Sequence, residues 1–349
     1  MGLPLISCIL PVFNGEKFLK AATLSVLSQT LRDFELIVVD DGSSDATPAM
    51  LAEMAATDAR IVVLRQTNAG IVGALNAGLG IAQGRYVARM DADDICLQDR
   101  FEFQASYLDR HPECVMVGGY AEKFSDERSG IGISTCGWRS RTDLTCFPPK
   151  LAVSVHPLIM MRVETLRAMG GYREGYPFAE DYDLFIRASR FGEIQNPPKI
   201  VLRYRVHAGS ISVQRTETQE WAALAAEFDA MGLGLPTPPQ SATITHPVRA
   251  NPDCSKEIGE AIVHAYFWFR VWRRRRNDDF ERETLRRMLP FLLGLTPGAW
   301  TLHYGIPLRM RMLGSMLFHS KVADALRFGL RRAKASRYSA IADAKLHEA

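Results

Sequence analysis

Two hydrophobic periods alternate through the first hundred residues, and that alternation constrains the fold more than any other feature. Ile6-Ser7-Cys8-Ile9-Leu10 is a short apolar run ending at Pro11, the pattern of a buried strand. From Glu16 to Gln29 the apolar residues fall at Phe18, Ala22, Val26 and Leu27, which is helical spacing. Phe34 to Val39 is strand-like again and stops at Asp40-Asp41-Gly42-Ser43-Ser44. A helix then opens, capped by Asp45 or Thr47, with Pro48 in its first turn. Ile61 to Leu64 is a third strand, Gly70 to Ala82 a small-residue helix, and Tyr86 to Met90 a fourth strand ending at Asp91-Ala92-Asp93-Asp94. Such alternation with short loops predicts an α/β fold, with a mixed, mostly parallel sheet flanked by helices. Ligands of such sheets bind outside the carboxyl ends of the strands. Asp40-Asp41 and Asp91-Ala92-Asp93 both stand there, so two acidic clusters are expected to face one crevice.

Further along, the pattern predicts irregular structure near the site from Phe124 to Lys150 and a strand from Val153 to Met161. A short helix from Arg162 to Met169 ends at Gly170-Gly171. Another helix runs from Glu180 to Arg190, and a strand from Val201 to Val206 precedes His207. Five prolines between Leu233 and Pro252 read as a linker or extended wrap, after which the chain is helical and Arg-rich.

Composition sharpens this division. The 349 residues are 47% hydrophobic and 23% charged, which excludes disordered and collagen-like classes. A formal charge of +3 conceals an acidic body, residues 1–269 at −7, joined to a basic end, residues 270–349 at +10. The six cysteines are scattered, with neither metal-ligand spacing nor the density of a disulfide framework, and read as reduced thiols. The N-terminus lacks a basic region before its first strand, so no signal peptide is expected. Met288 to Trp300 would span only about 20 Å of a roughly 30 Å hydrocarbon core, and prolines interrupt it, so no membrane-spanning segment is expected.

A strand ending in Asp-x-Asp carries the strongest chemical signal. Two carboxylates at alternate positions of a turn can reach one hard divalent cation, and Mg²⁺ or Mn²⁺ favours carboxylates together with diphosphate oxygens. Asp-rich turns are also ordinary strand endings, and Asp94 has an alternative use as a helix cap. The neighbouring Asp40-Asp41 cluster favours the metal reading.

Taken in order, these segments resemble the family-2 glycosyltransferases. The resemblance rests on Leu10-Pro11-Val12-Phe13-Asn14, Val38-Val39-Asp40-Asp41-Gly42-Ser43-Ser44-Asp45, Asn68-Ala69-Gly70, Ala74-Leu75-Asn76-Ala77-Gly78 and Met90-Asp91-Ala92-Asp93-Asp94. Downstream it continues through His156-Pro157, Gly170-Gly171-Tyr172, Ala179-Glu180-Asp181-Tyr182-Asp183-Leu184, and Tyr204-Arg205-Val206-His207 with Ser210-Ile211-Ser212. It implies a GT-A fold and inverting transfer of a sugar from a nucleoside diphosphate, UDP on family grounds, to an acceptor hydroxyl. It implies that Asp41 contacts the base, with Pro11 and Val12 lining the same pocket, and that Asp91 lies toward the ribose. Asp93 is implied as metal ligand, Asp181 as general base and Glu180 as a substrate contact beside it. His207 is either a diphosphate or metal neighbour or simply a satisfied surface residue, and is kept as a second metal candidate. Arg89 and Arg205 are possible phosphate counter-charges or strand-edge packing. Trp138 and Tyr176 are possible acceptor platforms or core.

The domain expectation is a catalytic GT-A domain over residues 1–215, a proline-rich linker over 216–256, and a basic amphipathic helical region over 257–349. Ile258, Ala261, Ile262, Ala265, Phe269 and Trp272 recur at helical spacing before four consecutive arginines, Arg273 to Arg276. That arrangement suits peripheral contact with anionic membrane, and packing on the catalytic domain is its alternative. No nucleic-acid partner is expected. Expected partners are a nucleoside-diphosphate sugar and a glycan or lipid-linked acceptor, with the chain cytoplasmic at the inner face of the plasma membrane. Two rivals remain. A nucleotidyltransferase needs a Gly-rich loop with a basic residue after the first strand, which Pro11-Val12-Phe13-Asn14-Gly15 does not supply. A non-catalytic sugar-nucleotide module would tolerate loss of Asp41, Asp93 or Asp181, and all three are present.

Overall fold

The computed structural model describes residues 2–126, 130–136, 139–140, 142–144, 151–207, 209 and 215–232. The expectations for Trp138, for Ser210-Ile211-Ser212 and for everything beyond residue 232 lie outside these residues.

An eight-stranded sheet forms the centre. Strands β1 (Ile6–Val12), β2 (Phe34–Asp40), β3 (Ile61–Arg65) and β4 (Tyr86–Arg89) are mutually parallel, with β1 between β2 and β4. The sheet continues through β10 (Met160–Arg162), antiparallel to β4 and to β6 (Cys114–Val117). Beyond these come β11 (Glu193–Gln195), parallel to β6, and β9 (Arg139–Ser140), antiparallel to β11. A four-stranded sheet lies alongside in the order β5 (Ile95–Cys96), β12 (Ile200–Arg205), β7 (Tyr120–Phe124), β8 (Gly132–Ser134).

Alternate residues of β1 serve opposite layers, as the pleat requires. Ile6, Cys8, Leu10 and Val12 meet α1 (Leu19–Leu27), α2 (Thr47–Thr57) and α4 (Arg100–Arg110) through Leu19, Ala22, Val26, Leu51, Phe101 and Leu108. Ile9 turns to the other side. There, with Ile37 and Val39, it meets α3 (Gly70–Ile81), α5 (Val163–Ala168) and α6 (Glu180–Ala188) through Leu75, Leu79, Leu166, Leu184 and Phe185. Helices on both faces of a largely parallel sheet are the expected architecture. The structure differs from the sequence reading in several places. Strands β8 and β9 stand inside the stretch from Phe124 to Lys150 expected to be irregular, because β8 pairs with its hairpin neighbour β7 and β9 with β11, distant in sequence.

Strand β1 passes through Pro11 and ends at Val12. Partner β4 reaches β1 only as far as Ile9, so at Pro11 one side carries no ladder and the missing N–H disrupts nothing there. The strand expected over 153–161 is instead a 3-10 turn, His156–Leu158, followed by β10, because Pro157 suits the start of a turn and not a central ladder. The start of the expected linker is also wrong. Thr216–Ala230 is a helix, α7, whose Ala222, Ala223, Ala226 and Phe228 are buried, and its Ala222 and Ala223 pack with Ala179, Tyr176 and Tyr182. Strong helix formers fill this stretch, and the prolines begin only at Pro236.

Candidate active site

The loops after β1 and β2 are laced together by their polar side chains. Asn14 N–H donates to Ser43 Oγ (2.8 Å), Gly15 N–H to Thr47 Oγ1 (2.9 Å) and Glu16 N–H to Asp45 Oδ2 (3.1 Å). In return Ser44 N–H donates to Asn14 Oδ1 (2.9 Å) and Ala46 N–H to Glu16 Oε2 (2.9 Å). Asn14 reaches this geometry at φ +51°, a left-handed conformation that asparagine tolerates. Thr47, expected as a helix cap, therefore spends its hydroxyl on the neighbouring loop. Asp45 instead accepts the Thr47 N–H (3.0 Å) just before the helix.

Asp40 and Asp41 take different places in this frame. Buried Asp40 accepts the Ser43 N–H (2.9 Å) and pairs with Arg65 (3.3 Å), so it shapes the turn. Asp41 Oδ1 accepts from Gln66 Nε2 (2.7 Å) and from Ala69 N–H (2.8 Å), where α3 begins. Its backbone N–H reaches back to Val12 O (2.9 Å). The end of β1, with Pro11 and Val12, is thus joined directly to Asp41.

At the end of β4, the carboxylates of Asp91, Asp93 and Asp94 all lie within 4.8 Å of one another. Gly15 brings the first loop against this turn: a Cβ there would sit 3.9 Å from Ala92 Cβ and only 2.4 Å from Val12 Cγ2. The Asp91 carboxylate pairs with Arg89, itself buried in the strand. Asp93 Oδ2 lies 2.9 Å from His207 Nε2. Nδ1 of that ring accepts the Gly209 N–H (3.1 Å), which puts the ring proton on Nε2, toward Asp93. Asp94 does not cap a helix. It is buried, and its Oδ1 accepts the Arg205 N–H (2.8 Å) while Oδ2 has no hydrogen-bond partner. Burial raises the proton affinity of both Asp94 and Asp91, and the proximity of the other carboxylates adds to it. Three crowded oxygen ligands, one with an orphaned buried oxygen, fit a hard divalent cation that would neutralise them.

Arg205 fastens the second sheet to this turn. Its Nε donates to Asp93 O (2.8 Å), and its guanidinium lies 4.3 Å from the Phe18 ring centroid and 4.4 Å from that of Phe124. The His207 ring packs on the same Phe18 at 5.4 Å. Arg205 is therefore a structural clamp rather than an exposed counter-charge. Arg89 is buried too, spent on Asp91.

The third part of the site is the first turn of α6. Phe178, at φ +63°, turns the chain just before this helix, a strained conformation for a bulky residue. Asp183, 1% exposed, bonds Arg173 and Arg187 (2.8 Å to Arg187 Nε), and Arg173 also holds Asp229 of α7 (3.0 Å). Tyr176 donates to the same Asp229 (2.9 Å), which makes it part of this tie and not a free platform. Asp181, partly exposed, accepts the Tyr182 N–H (2.8 Å). Glu180 is buried, with Oε2 unpartnered and Oε1 3.9 Å from His156 Nδ1. Burial, then the neighbouring Asp181 charge, pushes the Glu180 carboxyl up to about 7; Arg89 opposes this and Asp91 adds to it. The α6 turn and the Asp-x-Asp turn are therefore close enough to act on one another.

Sequence reasoning gave no part to His156 or Tyr172, although both stand in motifs it singled out. Nothing local signals their part, because the contacts that explain them span up to 96 positions.

The family model described as Glycosyl transferase family 2 matches residues 7–170. A Haemophilus influenzae protein named only as an uncharacterized glycosyltransferase is 33% identical over 223 residues, covering 60% of this chain and 68% of its own. The amylovoran biosynthesis glycosyltransferase AmsE of Erwinia amylovora is 31% identical over 215 residues, covering 60% of this chain and 80% of its own. Among solved structures, the mannosyltransferase PcManGT of Pyrobaculum calidifontis, in complex with GDP-Man and Mn²⁺, superposes with TM-score 0.55 at 18% identity. That match covers 93% of this chain and 84% of the other. S. aureus TarS in complex with UDP superposes with TM-score 0.51 at 17% identity, covering 82% and 88%. With an Asp-x-Asp turn, a Glu-Asp helix start and this sheet order in one frame, and with these relatives, the chain belongs to glycosyltransferase family 2.

Proposed function

We propose that this glycosyltransferase moves a sugar from a nucleoside diphosphate, UDP in the first instance, to an acceptor hydroxyl with inversion at the anomeric carbon. The observation that carries the reading is the triple-carboxylate turn lying beside the Glu180-Asp181 helix start. Asp41, with Pro11 and Val12, holds the base, and Asp91 lies toward the ribose. Asp93 holds a divalent cation, Mg²⁺ or Mn²⁺, with His207 Nε2 as a second ligand in the tautomer that carries the ring proton on Nδ1, which gives up the Gly209 bond. Bound there, the cation stabilises the charge that develops on the leaving diphosphate. The solved neighbours in complex with UDP and with GDP-Man and Mn²⁺ support this choice of ligands.

Asp181 takes the proton of the acceptor hydroxyl as that oxygen attacks the far face of the sugar. Its place at a helix N-terminus, beside orphan N–H groups, favours the ionised form needed for this. A single displacement inverts the centre and asks for no enzyme nucleophile. Glu180, buried with an acceptor oxygen to spare, contacts the sugar itself.

The acceptor belongs to a surface polysaccharide or a lipid-linked glycan, a reading supported by the named role of the Erwinia relative. Among the described residues no helix is long and apolar enough to cross a membrane. Peripheral contact of the basic region 257–349 with anionic lipid at the cytoplasmic face of the plasma membrane would bring the site to such acceptors. The test is a screen of UDP- and GDP-sugars, with and without Mn²⁺, read as release of the nucleoside diphosphate. Metal-dependent release from one of them is expected. Release that persists in excess chelator would overturn the metal assignment, and no release from any would overturn the activity.

A further inference from the structure

Three motif residues have no part in the transfer described above: Asn76, His156 and Tyr172. Asn76 lies far from the other two in sequence, and together they form one chain of contacts, buried at His156 and Tyr172, leading to Glu180. The Asn76 amide grips the Tyr172 peptide from both sides, accepting its N–H at Oδ1 (2.9 Å) and donating from Nδ2 to its carbonyl (2.9 Å). Gly170 and Gly171, at φ +76° and +72°, deliver the chain to this grip, and a Cβ on Gly171 would come within 2.6 Å of Asn76 Oδ1. Tyr172 Oη lies 2.9 Å from His156 Nε2, and the opposite ring nitrogen, Nδ1, lies 3.9 Å from Glu180 Oε1. Tyr172, His156 and Glu180 are all at most 7% exposed, and Glu180 Oε2 has no partner.

We propose that Asn76, Tyr172 and His156 are a positioning relay that holds the Glu180 carboxylate so that Oε2 accepts a hydroxyl of the donor sugar. The inference rests on the glycosyltransferase reading and assigns it a specificity element. The direction of each hydrogen bond follows from chemistry. Ionised, as it is above about pH 7, the Glu180 carboxylate only accepts, so the nitrogen facing it carries the proton, on Nδ1. Nε2 is then an acceptor and receives the Tyr172 hydroxyl. Asn76 is the far anchor, and it sits on α3, whose first turn is bonded to Asp41. One rigid helix thus ties the wall that receives the base to the residue that reads the sugar. The 3.9 Å gap is too long for a hydrogen bond, and it closes when a sugar hydroxyl draws Glu180 into place.

Tyr172→Phe removes one hydroxyl and keeps the packing. At pH 8, with UDP-N-acetylglucosamine as first probe, then UDP-glucose, UDP-glucuronic acid and GDP-mannose, this variant is expected to lose about tenfold in kcat/KM for the sugar nucleotide the wild type turns over. Its affinity for UDP alone and its melting temperature should stay near the wild-type values. In a Glu180→Gln background the same change should have almost no further effect, because the relay acts through that carboxylate. Additive losses in the double variant, or equal losses for UDP and the sugar nucleotide, would mean a structural role only and overturn the proposal. Histidine ¹⁵N NMR of the unliganded protein at pH 8, where Glu180 is ionised, tests it without turnover: His156 should be neutral with its proton on Nδ1, and a proton on Nε2 would refute the relay. Wild-type protein inactive on every donor, with the Nδ1 tautomer present, would instead strike at the glycosyltransferase reading.

Discussion

Replacing Glu180 by glutamine should stabilise the unliganded protein at alkaline pH and leave it nearly unchanged at acid pH. Glu180 is 7% exposed, and its carboxyl is raised from 4.5 to about 7, chiefly by burial and then by Asp181. Below pH 4.5 the folded and unfolded chains both carry the proton, so the group contributes no difference. From pH 4.5 to 7 the folded chain holds a proton that the unfolded chain has released, and stability falls by about 1.4 kcal/mol per pH unit. Above pH 7 both forms are ionised and the whole penalty, about 3 kcal/mol, is present. Glutamine is neutral throughout and removes it. Urea unfolding of both proteins at pH 4 and pH 8, without metal or nucleotide, should give curves that nearly coincide at pH 4. At pH 8 the variant should be the more stable by about 2–3 kcal/mol, with its activity lowered but still measurable. A difference that does not grow with pH would refute the assignment of a buried, proton-holding carboxyl at this position.

Four further outcomes follow from the site. Asp181→Asn should lower transfer by at least about a thousandfold while leaving UDP affinity within about threefold, measured by product release and by calorimetry; a comparable loss of UDP binding would argue against its role as base. Asp93→Ala should abolish the Mn²⁺ dependence of nucleotide binding, and a variant whose UDP affinity still responds to Mn²⁺ would displace Asp93 as the ligand. Asp183→Asn leaves Arg173 and Arg187 without their shared carboxylate and should lose about 3 kcal/mol in urea unfolding, whereas a change under about 0.5 kcal/mol would show that the cluster does not hold α6. Neutralising Arg273 to Arg276 should reduce sedimentation with phosphatidylserine vesicles, and unchanged sedimentation would point to packing of the basic region instead.

The sequence reads best where one period dominates. Strands β1 to β4 and helices α1 and α3 start and stop within three residues of the expected bounds, and α2 starts where expected, because their apolar faces are continuous and punctuated by Asp, Gly or Pro. Helix α4 offers no such stripe: its inner face buries Arg100 and Gln104 beside Phe101, Ala105 and Leu108. Arg100 is fully buried, its guanidinium donating to the carbonyls of Arg89 (2.8 Å) and Ile159 (3.2 Å). A charge satisfied by backbone carbonyls at the end of β4 and just before β10 leaves no local mark in the sequence. The same holds for the start of α7, where alanine-rich composition conflicted with the prolines farther on. In the site, the Asp-x-Asp and Glu-Asp motifs are local and legible. The clamp of Arg205 on Phe18 and Phe124, and the chain from Asn76 to His156, are set by packing between segments that the sequence keeps apart.

The Glu180-Asp181-Tyr182-Asp183 run shows why a motif alone underdetermines its chemistry. Asp181 and Asp183 are the same residue type in the same helical turn, each a plausible base in sequence. Two residues on an α-helix are about 200° apart around its axis, so the two carboxylates must face opposite ways. Once Leu184 and Phe185 are committed to the core, the direction of each is decided. Asp183 turns to the side closed by Arg173, Arg187 and α7, where it is 1% exposed and bonded at both oxygens. With both oxygens occupied by guanidiniums, Asp183 has no free oxygen to offer an acceptor hydroxyl. Asp181 takes the other direction, partly exposed and beside Glu180 and Tyr172, whose proton affinities its charge raises. The tie through Asp183 fixes the helix, and that fixed helix aims Asp181. Removing Asp183 should therefore lower turnover through misplacement of a base that is still present, with KM for the donor changed less than kcat.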